Sequence, residues 1–225
     1  MQQITINLPT ATVMKVAVIV FLALWVGNAL ALALHHGLDI DDGWGLVTLL
    51  HFDREQNLPT LFSVQLILGS SALACARGMA TTPETVKRSG WCLVALILLL
   101  LAVDEFASIH ERVDSAIRYY LGEDNLPYVV WPIPYVAGVL IVGSVLGRWF
   151  FALPRSLALG FALAGVIYLS GAVGIELIAG TYIAEIDPDH LGVSDLKRDL
   201  FATVEESLEM IGLLLLFRLM AGADS

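Results

Sequence analysis

A chain of 225 residues that is 57% hydrophobic and only 15% charged, with a mean hydropathy of +0.78, is not an ordinary water-soluble domain. Its formal net charge of −10 and isoelectric point near 4.8 argue against a nucleic-acid partner. Two cysteines, Cys75 and Cys92, indicate no disulfide framework and read as structural thiols.

The apolar stretches have helical length, and their order predicts an all-α fold: one integral membrane domain over 1–225, a polytopic bundle of six transmembrane helices. After a polar leader, helix 1 is expected over 13–34. Ala31-Leu32-Ala33 imitates a signal-peptidase site, but the run before it is longer than a usual signal core. In the acidic segment that follows, WGLVTLLHF can lie as a short helix in the interface. Helix 2 is expected over 59–79, with Pro59 suited to its first turn, and helix 3 over 91–114. An irregular segment containing Gly122 and Pro127 leads to helix 4 over 132–150, then helix 5 over 157–180. A polar, acidic loop precedes helix 6 over 201–221.

Six spans place both termini on one side. That side carries seven of the twelve basic residues (Lys15, Arg77, Lys87, Arg88, Arg148, Arg155, Arg218) and only two of the twenty-two acids, Glu84 and Asp224. By the positive-inside rule both termini are cytoplasmic. The acids at the outer ends of helices 3, 5 and 6 then face outward, as do all five histidines, His35, His36, His51, His110 and His190.

Helix 3 begins as the apolar run WCLVALILLLLAV and continues as DEFASIHERVD. Drawn as one helix, it brings Asp104 and Glu111 within about 20° of each other, with His110 and Asp114 flanking them and Glu105 pointing elsewhere. Asp104 then lies roughly 20 Å above Trp91, within the hydrocarbon layer. Helix 5 brings Glu176 near its outer end, with Tyr168 two turns below on a similar face, and Gly171, Gly174 and Gly180 permit close approach of a neighbour. Helix 6 opens with VEESLEM, which spreads Glu205, Glu206 and Glu209 over one broad face. Glu209 stands about 18 Å above Ala221, close to the level of Asp104. Asn28 and Gln65 reach the same layer and are expected as hydrogen-bonding support.

Burying a charge at the centre of a bilayer costs roughly 2.5–3.5 kcal/mol even on a lenient scale. Together, Asp104, Glu105, Glu111, Glu176, Glu205, Glu206 and Glu209 would approach the typical stability of a whole domain, about 5–15 kcal/mol. Arg112 is the only basic residue near them within these helices. Protons, water or bound cations must therefore compensate them, and hard oxygen ligands favour Fe, Mn, Mg, Ca or Zn over soft metals. The expected metal ligands are Asp104, His110, Glu111, Glu176, Glu205, Glu206 and Glu209, holding one or two divalent ions, Fe or Mn ahead of Zn. A di-iron bundle would use two Glu-x-x-His motifs, but Ala107 stands three residues before His110. A second nitrogen ligand would come from a loop, with His51 best placed and Asp53 beside it. Asp53-Arg54-Glu55-Gln56-Asn57 spaces oxygens as a calcium loop does, yet lacks the glycine and the closing acid, so it reads as an acidic turn capping helix 2. No nucleotide-binding or hydrolase motif is present, no organic cofactor is expected and no catalytic residue is singled out.

The blocks HFDREQNLPTLFS, DEFASIHE, GAVGIELIAG and VEESLEMIG resemble those of a family of small, uncharacterised bacterial multi-spanning membrane proteins, from about His51 to Gly212. The resemblance implies a bacterial plasma (inner) membrane and carries no activity. The residues themselves point to a metal-dependent enzyme that oxidises or hydrolyses a lipid or other hydrophobic substrate, with membrane lipids as its surroundings and partners. The alternatives are an accessory subunit partnered with other membrane proteins, and a cation or proton pathway.

Overall fold

The computed structural model describes residues 9–81, 86–122, 126–186 and 195–222. Glu84, His190 and Asp224, used above to assign sides, lie outside the described residues, as does 187–194 of the acidic loop. The described residues are helical and contain no strand. The helices are α1 (Thr10–Leu38), α2 (Leu46–Leu50), α3 (Leu58–Ala80), α4 (Val86–Ala107), α5 (Ile109–Leu121), α6 (Pro132–Phe151), α7 (Arg155–Leu169), α8 (Glu176–Ile186) and α9 (Leu196–Gly222), with a π-helical turn at Ser170–Ile175 between α7 and α8. Five segments are long and apolar enough to cross a membrane: Thr10–Leu38, Leu58–Ala80, Lys87–Ala107, Pro132–Phe151 and Arg155–Ile186.

Cross-helix contacts fix the directions. Thr10 Oγ1 lies 3.5 Å from the carbonyl of Ala221, and Asn28 bonds Thr203 near the other end, so α1 and α9 are antiparallel. Arg77 donates to the carbonyl of Met220 at 2.7 Å while a Cβ at Gly69 would meet Phe217, so α3 runs parallel to α9. Ser71 Oγ donates to the carbonyl of Ala95 at 2.7 Å and a Cβ at Gly78 would meet Cys92, so α4 runs antiparallel to α3. Helices α1, α3 and α4 therefore alternate in direction, and Thr10 meets Ala221 at one end of the bundle.

The core lies between α3, α4 and α9, where Ile67, Met210 and Met220 are fully buried. Outward faces of α1 and α6 expose Ile19, Val26, Leu140 and Ile141, as expected for helices against hydrocarbon. Two glycines allow α7, the π turn and α9 to touch backbone to backbone. A Cβ at Gly171 would stand 2.6 Å from the carbonyl oxygen of Glu205, and one at Gly212 would stand 2.8 Å from the amide of Tyr168. Only glycine permits that approach, and it brings Tyr168 and Glu176 against the acidic face of α9.

Two expectations are corrected here. The single helix over 91–114 is broken: Ser108 adopts a left-handed conformation (φ 47°, ψ 49°), separating α4 from α5. The fifth apolar segment does not end at residue 180 but passes through the π turn and continues to Ile186. Both Cys75 and Cys92 are free thiols.

Candidate functional site

The acidic loop between α2 and α3 folds inward because its polar atoms are tied down. Asn57 accepts the Thr60 amide at 3.1 Å, capping α3, and its Nδ2 donates to the carbonyl of His51 at 2.7 Å. Asn28, 1% exposed in α1, accepts the Phe52 amide at 2.8 Å and donates to Thr203 at 2.9 Å. The loop is thereby held against α9, with Asp53 and Glu55 turned into a cavity.

That cavity has a volume of ≈ 880 Å³. Its walls include Asp53 and Glu55 from the loop, Asp104 and Glu105 from α4, His110, Glu111 and Asp114 from α5, Glu176 from α8, and Glu205, Glu206 and Glu209 from α9. Phe52, Tyr128, Trp131, Tyr135 and Tyr168 are its aromatic members, and Ile97, Leu101, Val136, Val139 and Leu140 make an apolar side. Arg198 is the only lysine or arginine among its described lining residues.

The break at Ser108 shapes this site. It turns α5 so that His110 Nδ1 reaches Asp104 Oδ2 at 3.0 Å, while Ser108 Oγ donates to Glu55 Oε2 at 3.1 Å. Tyr135 donates its hydroxyl to the other oxygen of Asp104. The His110 ring packs on Trp131, with centroids 5.2 Å apart, and Trp131 on Tyr135, 5.0 Å apart. One donor atom from each of Glu55, His110 and Glu111 lies within 4.8 Å of the others, a spacing that a single metal ion could bridge. Tyr168, Glu176, Glu205 and Glu209 line the same cavity. Glu209 is 9% exposed.

Electrostatics at the mouth follow from burial and charge. Burial holds Asp53 above the usual carboxylate range, although Arg198 lies 3.1 Å away and opposes it. Burial, followed by the charge of Glu111, raises Glu55. For His110, burial favours the neutral ring, but the hydrogen bond and charge of Asp104 outweigh it and raise the pKa.

Of the expected ligands, Asp104, His110, Glu111, Glu176, Glu205, Glu206 and Glu209 all line this one cavity, and so does Asp53. Others do not reach it. Gln65 is exposed on α3, and Asn28 supports the loop from outside the lining. His51 is 3% exposed and points away, its Nε2 lying 3.2 Å from Asp199 Oδ2. Glu105, expected to point elsewhere, lines the cavity, and the basic residue there is Arg198, whereas Arg112 is exposed. Asp114 is already engaged: it accepts the Val130 and Trp131 amides at 2.5 and 3.0 Å and pairs with Arg118 at 2.6 Å, fixing the turn into α6. Tyr135 and Trp131 were not singled out from sequence, and Glu55 was named there only within an acidic turn spaced like a calcium loop. For Tyr135 and Trp131 the one hint was an aromatic pair at the start of an apolar run.

No curated protein and no solved structure matches the chain. A family model described as a domain of unknown function (DUF8692) matches residues 14–223, and the chain belongs to that family.

Proposed function

We propose that this protein is a six-span membrane metalloprotein, with α9 as the sixth span and both termini cytoplasmic, that uses one or two divalent metals in the outer half of a bacterial plasma membrane to oxidise or hydrolyse a lipid or other hydrophobic substrate. The observation that carries the reading is the convergence of ten carboxylate side chains on one cavity within a bundle of apolar helices, with a single arginine among its described lining residues. Such charge density is compatible with a low-dielectric setting only if protons or cations sit among the oxygens. Glu55, His110 and Glu111 supply a mixed nitrogen and oxygen set for one ion, and Glu176, Glu205, Glu206 and Glu209 supply oxygens for a second. A metal there would act as a Lewis acid or a redox centre. The side lined by Val136, Val139 and Leu140 suits an acyl chain or another apolar group. Below Asp104, α4 offers only apolar residues over 98–103, which gives a through-going charge pathway no support.

The test is reconstitution of the full chain in bilayers of bacterial phospholipid, loaded separately with Fe²⁺, Mn²⁺ or Zn²⁺, with products followed by mass spectrometry. Oxygen-dependent mass gain with iron or manganese supports oxidation, and ester or amide cleavage with zinc supports hydrolysis. Both should vanish in Glu206→Gln. Lipid turnover that persists after metal removal would contradict the proposal.

A further inference from the structure

Outside the acidic cavity, a second group of side chains gathers where the C-terminal end of α1 meets the start of α9. His35, His36 and Asp199 each place a donor atom within 4.8 Å of the others, and His51 joins them from the loop. Neighbouring residues on a helix diverge by about 100°, yet the rings of His35 and His36 pack edge to face with centroids 4.6 Å apart. Both rings turn toward the same carboxylate. His36 Nε2 lies 2.7 Å from Asp199 Oδ2, and Asp199 is 6% exposed.

Proton positions sort the members into two roles. The Asp53 amide donates to His51 Nδ1 at 3.2 Å, so the proton of neutral His51 resides on Nε2, which donates to Asp199 Oδ2 at 3.2 Å. His51 therefore orients the carboxylate and cannot ligate through the same nitrogen. His35 Nδ1 lies 3.4 Å from Oδ1 of the exposed Asp41, an ion-pair distance.

We propose that His35, His36 and Asp199 form a binding site for a divalent first-row transition metal, with His51 as a positioning residue. Two imidazoles and one carboxylate favour zinc, iron or cobalt over magnesium or calcium. With metal–ligand bonds of about 2.1 Å, adjacent donors stand about 3.0 Å apart in an octahedral site and about 3.4 Å apart in a tetrahedral one. The 2.7 Å contact between His36 Nε2 and Asp199 Oδ2 is a hydrogen bond in the metal-free state, and an ion would displace its proton and open the pair slightly to the octahedral value. Three protein ligands leave positions for water. The ion would fasten α1 to α9, and through His51 and the Asp53–Arg198 pair it would steady one wall of the acidic cavity. This site stands whether or not the cavity binds metal.

The test uses the full chain in detergent micelles and Co²⁺ as the probe. The cavity is first disabled by the double substitution His110→Gln with Glu206→Gln, so that imidazole ligation cannot come from there. Cobalt should still bind this variant, and its X-ray absorption should carry the scattering of two imidazoles. Adding His36→Gln or His35→Gln should weaken binding more than about 100-fold, whereas His51→Gln, which keeps a donor near Nε2, should stay within about 10-fold. Absence of imidazole scattering in the disabled-cavity protein would overturn the assignment without recourse to any variant of the site itself. So would unchanged cobalt affinity in folded His36→Gln protein.

Discussion

His110 Nδ1 lies 3.0 Å from Oδ2 of Asp104, six residues back along the chain, a pairing that an uninterrupted helix does not make. In a regular helix residues six apart diverge by about 120° around the axis. The left-handed Ser108 between them redirects α5 and folds His110 back over the carboxylate. The cavity mouth thus depends on one backbone conformation. Ser108→Gly should keep it, since glycine adopts positive φ freely. Ser108→Val should cost about 1–3 kcal/mol, because a branched side chain is strained there. Thermal unfolding in detergent checks the stability, and metal content checks the accompanying loss of His110 from the site.

The approach of α9 to the π turn is equally demanding. Gly171→Ala places a methyl group 2.6 Å from the backbone oxygen of Glu205, so the helices must part and separate Glu176 from Glu205. A loss of about 1–3 kcal/mol is expected, together with weakened metal binding. Gly165→Ala is the control: nothing lies within 4 Å of its added carbon, and the change should be neutral or stabilising by up to about 1 kcal/mol. Chemical denaturation of the two variants side by side separates a close helix contact from a general intolerance of substitution.

Asn28 holds the acidic loop in place. In Asn28→Ala the Phe52 amide loses its partner in a buried position, at a cost of about 1–3 kcal/mol. Hydrogen exchange should rise locally over residues 51–57 and leave α6 unchanged.

How far the sequence led can be judged from these same residues. Apolar runs announce helices whose spans must satisfy every backbone group internally, and five of the expected runs fall in helices long and apolar enough to cross a membrane. Carboxylates within such runs are costly wherever they occur, so Asp104, Glu176 and Glu209 stood out before any geometry was known. The break at Ser108 was not legible, because DEFASIHE contains neither proline nor glycine and reads as continuous helix. Glu105 was set aside because it lies about 100° around the helix from Asp104, yet the cavity takes in both. Pairing of His51 with Asp199 was equally hidden, since residues 148 apart in the chain meet only through the packing of α1, the loop and α9.

Proton competition predicts the pH dependence of metal binding. Every ligand must shed its proton to coordinate, so affinity falls as the pH drops through the ligands' pKa values. His110 is raised above its ordinary 6.5 and Glu55 above its ordinary 4.5, so the decline should begin above pH 6.5 and deepen toward pH 5. Isothermal titration with Mn²⁺ at stepped pH measures it. Replacing His110 with Gln should remove the upper limb of the curve.

Elemental mass spectrometry of the purified full-length protein, beside the Glu206→Gln, Glu209→Gln double variant, tests most directly whether metal compensates the cavity's carboxylates. Beyond the ion held by His35, His36 and Asp199, iron or manganese approaching two per chain, or zinc near one, is expected in the wild type, with at least one equivalent lost from the variant. A wild-type protein that is folded and free of metal, or a variant with undiminished content, would contradict it.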